Sequence, residues 1–261
     1  MIQAFSRRAG RSVLNFFREM GSFSILFVRI LGSSGGVFKN RRLILEQMVR
    51  IGVDSLPLIT VMSIFTGAVS AWQAAYQFKG ILPGASTYDF LGAAVSAAIL
   101  IELSPVLTGI VISGRTGASI AAELGTMKVT EQIDALETLA IDPVRFLAVP
   151  RFTAGWTMLP VLVVYSYWIA HLGACAVAYF QLGISVHNFF NSVQQYFLVR
   201  NVYSGLIKSA VFGGGTAVIG CSVGFGTEGG AEGVGFSTIK AFVISAAYIL
   251  VADFILATIL F

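Results

Sequence analysis

Between Arg151 and Arg200 the chain carries no aspartate, glutamate, lysine or arginine. An ordinary soluble domain has about a quarter of its residues charged, so it cannot carry so long an uncharged stretch through its surface. The stretch is also too long for a single crossing of a bilayer, which takes roughly 20 residues. Its second half turns polar from His187 and Asn188 to Gln195. It therefore reads as one span over about 153–182 followed by an interfacial segment.

The same reasoning finds four more spans. Residues 51–78 contain Asp54 as their one charge, 90–113 contain Glu102, about 202–226 contain Lys208, and about 238–261 contain Lys240 and Asp253. With 56% hydrophobic and 11% charged residues, the expected fold is an all-α integral membrane domain with five transmembrane helices over 51–261. A closed β-barrel is excluded, because its strands alternate polar and apolar residues and never form such blocks. Residues 1–50 hold nine of the seventeen basic residues, interleaved with Phe5, Phe16, Phe17, Phe23 and Phe27. They read as a basic amphipathic interfacial region. No cleavable signal peptide is evident, since Arg18 and Arg29 break the apolar run.

Lys and Arg mark the cytoplasmic side. The basic N-terminus is thus expected in the cytoplasm, together with the segment between spans two and three, which carries Arg115, Lys128, Arg145 and Arg151. The opposite loops carry only Lys79 and Arg200, and five spans then leave the C-terminus outside.

Ionisable groups inside a membrane are costly and mark function by default. Glu102 stands midway along span two, just before Pro105, which loosens the local helix ladder. Either it lines a cavity or it is protonated and bonded to a neighbouring helix. Lys208 lies about two turns into span four; it snorkels to the headgroups or faces the same cavity and meets Glu102 or a lipid phosphate. Asp253 is expected to be hydrated or paired. His171 and His187 are isolated and lack metal-ligand spacing, and Cys175 and Cys221 sit in apolar runs as small hydrophobes. No metal site and no catalytic set are expected. No Gly-x-x-x-x-Gly-Lys-[Ser/Thr] occurs, so ATP and magnesium are not expected on this chain.

The connection from about 114 to 152 departs from its surroundings. Thr130 and Glu131 open a short acidic helix that must stop before Pro143. Ile133, Leu136 and Leu139 share one face, with Glu131, Asp134 and Glu137 elsewhere. Such a helix either seats in a groove of a soluble partner or lies against its own bundle.

Glu102-Leu-Ser-Pro-Val, Gly114-Arg-Thr-Gly-Ala-Ser-Ile-Ala-Ala-Glu-Leu-Gly-Thr-Met, Thr130-Glu-Gln-Ile-Asp-Ala-Leu and Ile141-Asp-Pro-Val-Arg together resemble the MlaE/YrbE permease family over nearly the whole chain. The resemblance implies a homodimeric ABC permease of the Gram-negative inner membrane. Its implied partners are a cytoplasmic ATPase and a periplasmic MCE-domain protein. Its implied substrate is phospholipid, moved between the two membranes to maintain outer-membrane lipid asymmetry. No nucleic-acid partner is implied. The family's ATPase-coupling helix matches Glu131, Ile133, Asp134, Leu136, Glu137 and Leu139. Its lipid-cavity glutamate matches Glu102, beside Pro105 and Lys208. The position before that glutamate, arginine in some relatives, is Ile101 here. Gly114, Arg115, Gly117, Glu123 and Gly125 form the remaining motif, which serves as a structural network or as a lipid contact. Two competing readings are an ion-coupled secondary transporter using Glu102 and a membrane scaffold that transports nothing.

Overall fold

The computed structural model describes residues 20–33, 41–81 and 90–261. Much of the expected basic region, residues 1–19 and 34–40, lies outside them. Among the described residues all regular structure is helical. In chain order the elements are α1 (Met20–Ser33), α2 (Arg41–Phe78), α3 (Leu91–Val129), α4 (Gln132–Thr138), α5 (Val144–Phe180), α6 (Val186–Gln195), α7 (Val199–Phe225) and α8 (Gly230–Leu260). Helices α2, α3, α5, α7 and α8 are each apolar and long enough to cross a membrane.

The helices outrun the apolar blocks. Hydropathy ends the second span near 113, yet α3 continues to Val129, and α5 begins at Val144 rather than near 153. The polar residues of these extensions are bonded within the bundle, so nothing forces the helix to end where the charges begin. Only residues 130–143 are left to connect α3 and α5, and α4 occupies half of them.

Helix α7 is the hub, packed against α3, α5 and α8, while α2 packs on the far side of α5. Small residues make this possible, since lipid supplies no hydrophobic drive between helices and close approach must come from shape. A Cβ on Gly155 would lie 2.8 Å from the Gly213 carbonyl oxygen, and one on Gly213 would meet the Gly155 carbonyl in return. Gly67 abuts the backbone of Ala170, and Gly173 that of Ile64. Hydroxyls staple the same helices: Thr60 to Tyr165 at 2.6 Å, Ser63 to Ser166 at 2.9 Å and Ser166 to Ser104 at 3.1 Å. His171 belongs to this ladder. Its Nδ1 faces the Tyr167 carbonyl at 2.7 Å and so carries the proton, leaving Nε2 to accept from Ser96 at 3.0 Å.

The two ends of the bundle differ. At one, α6 lies across the start of α3, burying Phe189 and Ser192, with Ser185 capping its N-terminus by accepting from Asn188 N–H. At the other, which we call the α4 end, α1 and α4 cover the termini of α3, α5 and α7. Leu26 and Ile30 of α1 join Ile133, Leu124, Val144 and Cys221 in one apolar cluster. The outer side of α1 is apolar as well: Ile25, Val28 and Leu31 are exposed, and Arg29 is its one basic residue.

Candidate functional site

Three charged side chains meet where α3, α7 and α8 adjoin. The Lys208 ammonium is 2.8 Å from Glu102 Oε2 and 2.7 Å from Asp253 Oδ1. The Lys208 side chain is 0% exposed and that of Asp253 11%, while Glu102 remains 48% exposed. Lys208 therefore does not snorkel. Asp253 is the lysine's second counter-ion, a role that the sequence leaves as mere pairing or hydration. With both carboxylates ionised the cluster would bear one uncompensated negative charge, and Glu102 is the member that faces outward.

The backbone of α3 is built to receive this lysine. Residues Ile99–Leu103 form a π-helical turn, in which Ser104 N–H bonds back to the Ile99 carbonyl. Leu100 thus loses its ordinary donor, Ser104. Its next candidate is Pro105, which has no N–H. The freed Leu100 carbonyl instead accepts from the Tyr167 hydroxyl at 2.9 Å. The Ile101 carbonyl, four residues before Pro105, accepts from Lys208 Nζ at 3.3 Å. Ile101 and Pro105 enter the site through the backbone: one presents a carbonyl, and the other guarantees that it is vacant. Single π turns of this kind recur at functional sites. Gly205 lets Tyr167 and Pro105 approach α7, since a Cβ there would strike the Tyr167 hydroxyl and the Leu100 carbonyl.

A second ionic cluster occupies the α4 end. Glu123 of α3 bridges Arg50 of α2 and Arg151 of α5, the latter at 2.9 Å. Arg151 is nearly buried and also donates to the Leu147 carbonyl at 2.8 Å. Arg115 donates to the Arg50 carbonyl at 2.9 Å and to the Ser55 hydroxyl at 2.5 Å, with Asp54 at 3.7 Å. It so satisfies the helix end at Ile51, where α2 passes through a 3₁₀ turn (Val53–Ser55) before resuming ahead of Pro57. Gly117 and Gly125 are contact glycines: a Cβ on each would come within 2.9 Å of Thr216 and Thr227 respectively. Gly114 faces Phe242 at ordinary contact distance. The motif block thus ties α2, α3, α5 and α7 together at this end. Glu123→Gln is expected to cost about 1.5–3 kcal/mol, the scale of hydrogen bonds to charged groups, because the Arg151 guanidinium loses its carboxylate. Thermal unfolding in detergent measures it, and a midpoint equal to that of the parent chain would show the cluster to be incidental.

The α4 helix divides the face read from the sequence. Ile133 is buried in the apolar cluster and Leu136 packs against it, so both face the chain's own bundle. Leu139 is 71% exposed, and Glu131 and Glu137 are exposed too. Asp134 pairs with Lys128 at 2.8 Å. Glu131 (φ 58°) and Ala140 (φ 59°) bracket the helix in the left-handed region without glycine, a costly geometry for side chains with a Cβ.

The model of the family described as Permease MlaE matches residues 44–259. The chain is a member of the MlaE permease family. A probable ABC transporter permease protein of Synechocystis is 40% identical over 250 residues, covering 92% of this chain and 94% of the relative. One from Rickettsia typhi is 34% identical over 261 residues, covering 100% and 99%. The intermembrane phospholipid transport system permease protein MlaE of Haemophilus influenzae is 32% identical over 262 residues, covering 100% and 99%. The chain is therefore a multi-pass membrane permease of the ABC transporter class. Within the permease, Glu102 is one corner of a three-residue cluster.

Proposed function

We propose that this permease moves phospholipids, with the Glu102–Lys208–Asp253 cluster marking the headgroup end of the lipid's cavity. One observation carries the reading: a carboxylate whose side chain is 48% exposed stands well inside a membrane span. Hydrocarbon does not solvate such a group, so its open side belongs to a polar, enclosed space. A second copy of the chain related by a two-fold axis would enclose it, and the apolar flanks of α2 and α8 would receive acyl chains. The uncompensated negative charge suits the ammonium of a zwitterionic headgroup.

The chain has no phosphate-binding loop of its own, so we assign ATP hydrolysis to a separate cytoplasmic ATPase that docks at the α4 end. On this reading the chain lies in the inner membrane of a bacterium, with the N-terminus in the cytoplasm and the C-terminus in the periplasm. The lipid's partner on the far side is an MCE-domain carrier, and the physiological outcome is outer-membrane lipid asymmetry. The name of the Haemophilus relative supports the substrate class.

Leu139 is the apolar group that α4 presents outward. Leu139→Asp is expected to weaken ATPase association about thirtyfold, as loss of an interface anchor worth about 2 kcal/mol does, with no change in the permease's own unfolding. Ile133→Asp should instead unfold the α4 end. Undiminished copurification of the ATPase with the Leu139 variant would remove α4 from the interface. The reading as a whole is tested by gentle purification of the tagged chain from its native membrane. An ATPase, an MCE-domain protein and bound phospholipid should coelute. A dimer free of all three would overturn it.

A further inference from the structure

Two buried hydroxyls, one from α7 and one from α8, border the same glycine of α3. Thr216 is 3% exposed and Ser245 wholly buried, and neither hydroxyl oxygen has a hydrogen-bond partner in the protein. Elsewhere in the bundle such groups serve their own helix: Thr66, Ser70, Thr153 and Thr157 each donate to the carbonyl four residues back. Thr216 and Ser245 do not. The point where a Cβ on Gly117 would stand lies 2.9 Å from the Thr216 methyl and 3.5 Å from the Ser245 oxygen. Beyond the adjoining turns of α3 itself, no other heavy atom comes within 4 Å of that point. The side chain that Gly117 lacks thus leaves a gap between three helices. A gap of methyl size is on the scale of one water, which takes about 30 Å³ in the liquid.

The same turn of α3 supplies an acceptor. Residues Ser113–Gly117 are π-helical, and the Ala118 N–H bonds to the Ser113 and Arg115 carbonyls. The Gly114 carbonyl so loses its regular donor, and a helix carbonyl points along the axis toward the residue four further on. We propose that one buried water sits beside Gly117 and joins α3, α7 and α8. It accepts from one of the two hydroxyls, donates to the other, and gives its second hydrogen to the Gly114 carbonyl. Three bonds are the usual complement of an interior water. The chemistry of the partners selects this occupant. All three are neutral, so a cation would have no charge to offset its own, and an apolar group would leave both hydroxyls unbonded where lipid offers no substitute. The site is separate from the Lys208 cluster: Thr216 is eight residues along α7 from Lys208, and Ser245 eight along α8 from Asp253, about 12 Å of helix in each case. The proposal does not rest on the transport reading.

The test is a double-mutant cycle in the full-length chain, read by thermal unfolding, with a density map beside it. Thr216→Val keeps the shape of the side chain and Ser245→Ala removes a single oxygen, so both variants should fold. Each alone is expected to lower the unfolding temperature by about 2–4 °C, the shift for one lost hydrogen bond in a chain of this size. The double variant should fall no further than the lower of the two, because both changes break one bridge. Losses that add would mean that each hydroxyl serves its own helix, and would overturn the proposal. In a crystallographic or cryo-electron-microscopic map that resolves ordered water, a peak is expected within about 3.2 Å of both oxygens. A map in which Thr216 and Ser245 bond to each other, with nothing between them, overturns the bridge even if the cycle shows coupling. An unfolding temperature higher in sodium chloride than in choline chloride at equal concentration, and lost in the double variant, would assign the site to an ion instead.

Discussion

Lys208→Ala is expected to cost the permease about 3–5 kcal/mol, the scale for removing one partner from a buried ion pair. The lysine's side chain is wholly enclosed, and its loss leaves two carboxylates facing each other across α3 and α8 with no cation between them. The Ile101 carbonyl, which Pro105 cannot serve, is orphaned at the same time. Thermal unfolding in detergent should show a large drop in midpoint. Combining Lys208→Met with Glu102→Gln and Asp253→Asn removes all three charges together and should recover much of the stability, because no uncompensated charge remains. That triple variant should still show no lipid-stimulated ATP hydrolysis in the assembled transporter. An alanine variant that unfolds at the parent temperature would mean that water or a lipid, and not the lysine, neutralises the carboxylates.

Gly213→Ala is the second large effect. The added methyl would overlap the carbonyl of Gly155 and press on Leu159, and the obstacle is the backbone of α5, which has no rotamer to change. Overpacking costs about 1–3 kcal/mol even where side chains can shift, so about 3 kcal/mol or more is expected here. Gly235→Ala provides the control: its Cβ meets open space on α8, and replacing a helical glycine there should be neutral or slightly stabilising. Equal unfolding temperatures for the two variants would show that α5 and α7 separate easily at this crossing.

The five crossings were legible because charge depletion is a bulk property that survives any detail of packing. Helix ends were less so. The run from Gly114 to Lys128 looks like a loop by composition, but its arginine and glutamate are bonded to Arg50, Ser55 and Arg151, residues far away in sequence. For α4 the sequence shows which residues share a face; it does not show that the bundle takes Ile133 and Leu136 and leaves Leu139 exposed. The cluster at Lys208 was half visible. All three of its members stood out as intramembrane charges, but only Glu102 and Lys208 were read as able to meet, and depth could have joined Asp253 to them. Glu102, Lys208 and Asp253 lie about 16, 14 and 11 Å of helix from the ends of α3, α7 and α8 on the same side of the bundle. Three charges at nearly one level, two acidic and one basic, are candidates for pairing before any coordinates exist. The π turn that opens the Leu100 and Ile101 carbonyls has no comparable signal beyond Pro105 itself.

The glycine contacts have a mechanical consequence. Where Gly67, Gly155, Gly173 and Gly213 bring main chains together, α2, α5 and α7 interlock like the staves of one board. Helix α8 is joined differently: Gly109 meets it through the side chain of Ile249 and Gly215 through the ring of Tyr248. Its polar fastenings to α7 include the Tyr248 hydroxyl on the Val211 carbonyl at 3.1 Å and Asp253 on Lys208. Asp253 rides on α8 and Glu102 on α3, so the relative placement of these two helices sets how the lysine divides its charge between its two carboxylates.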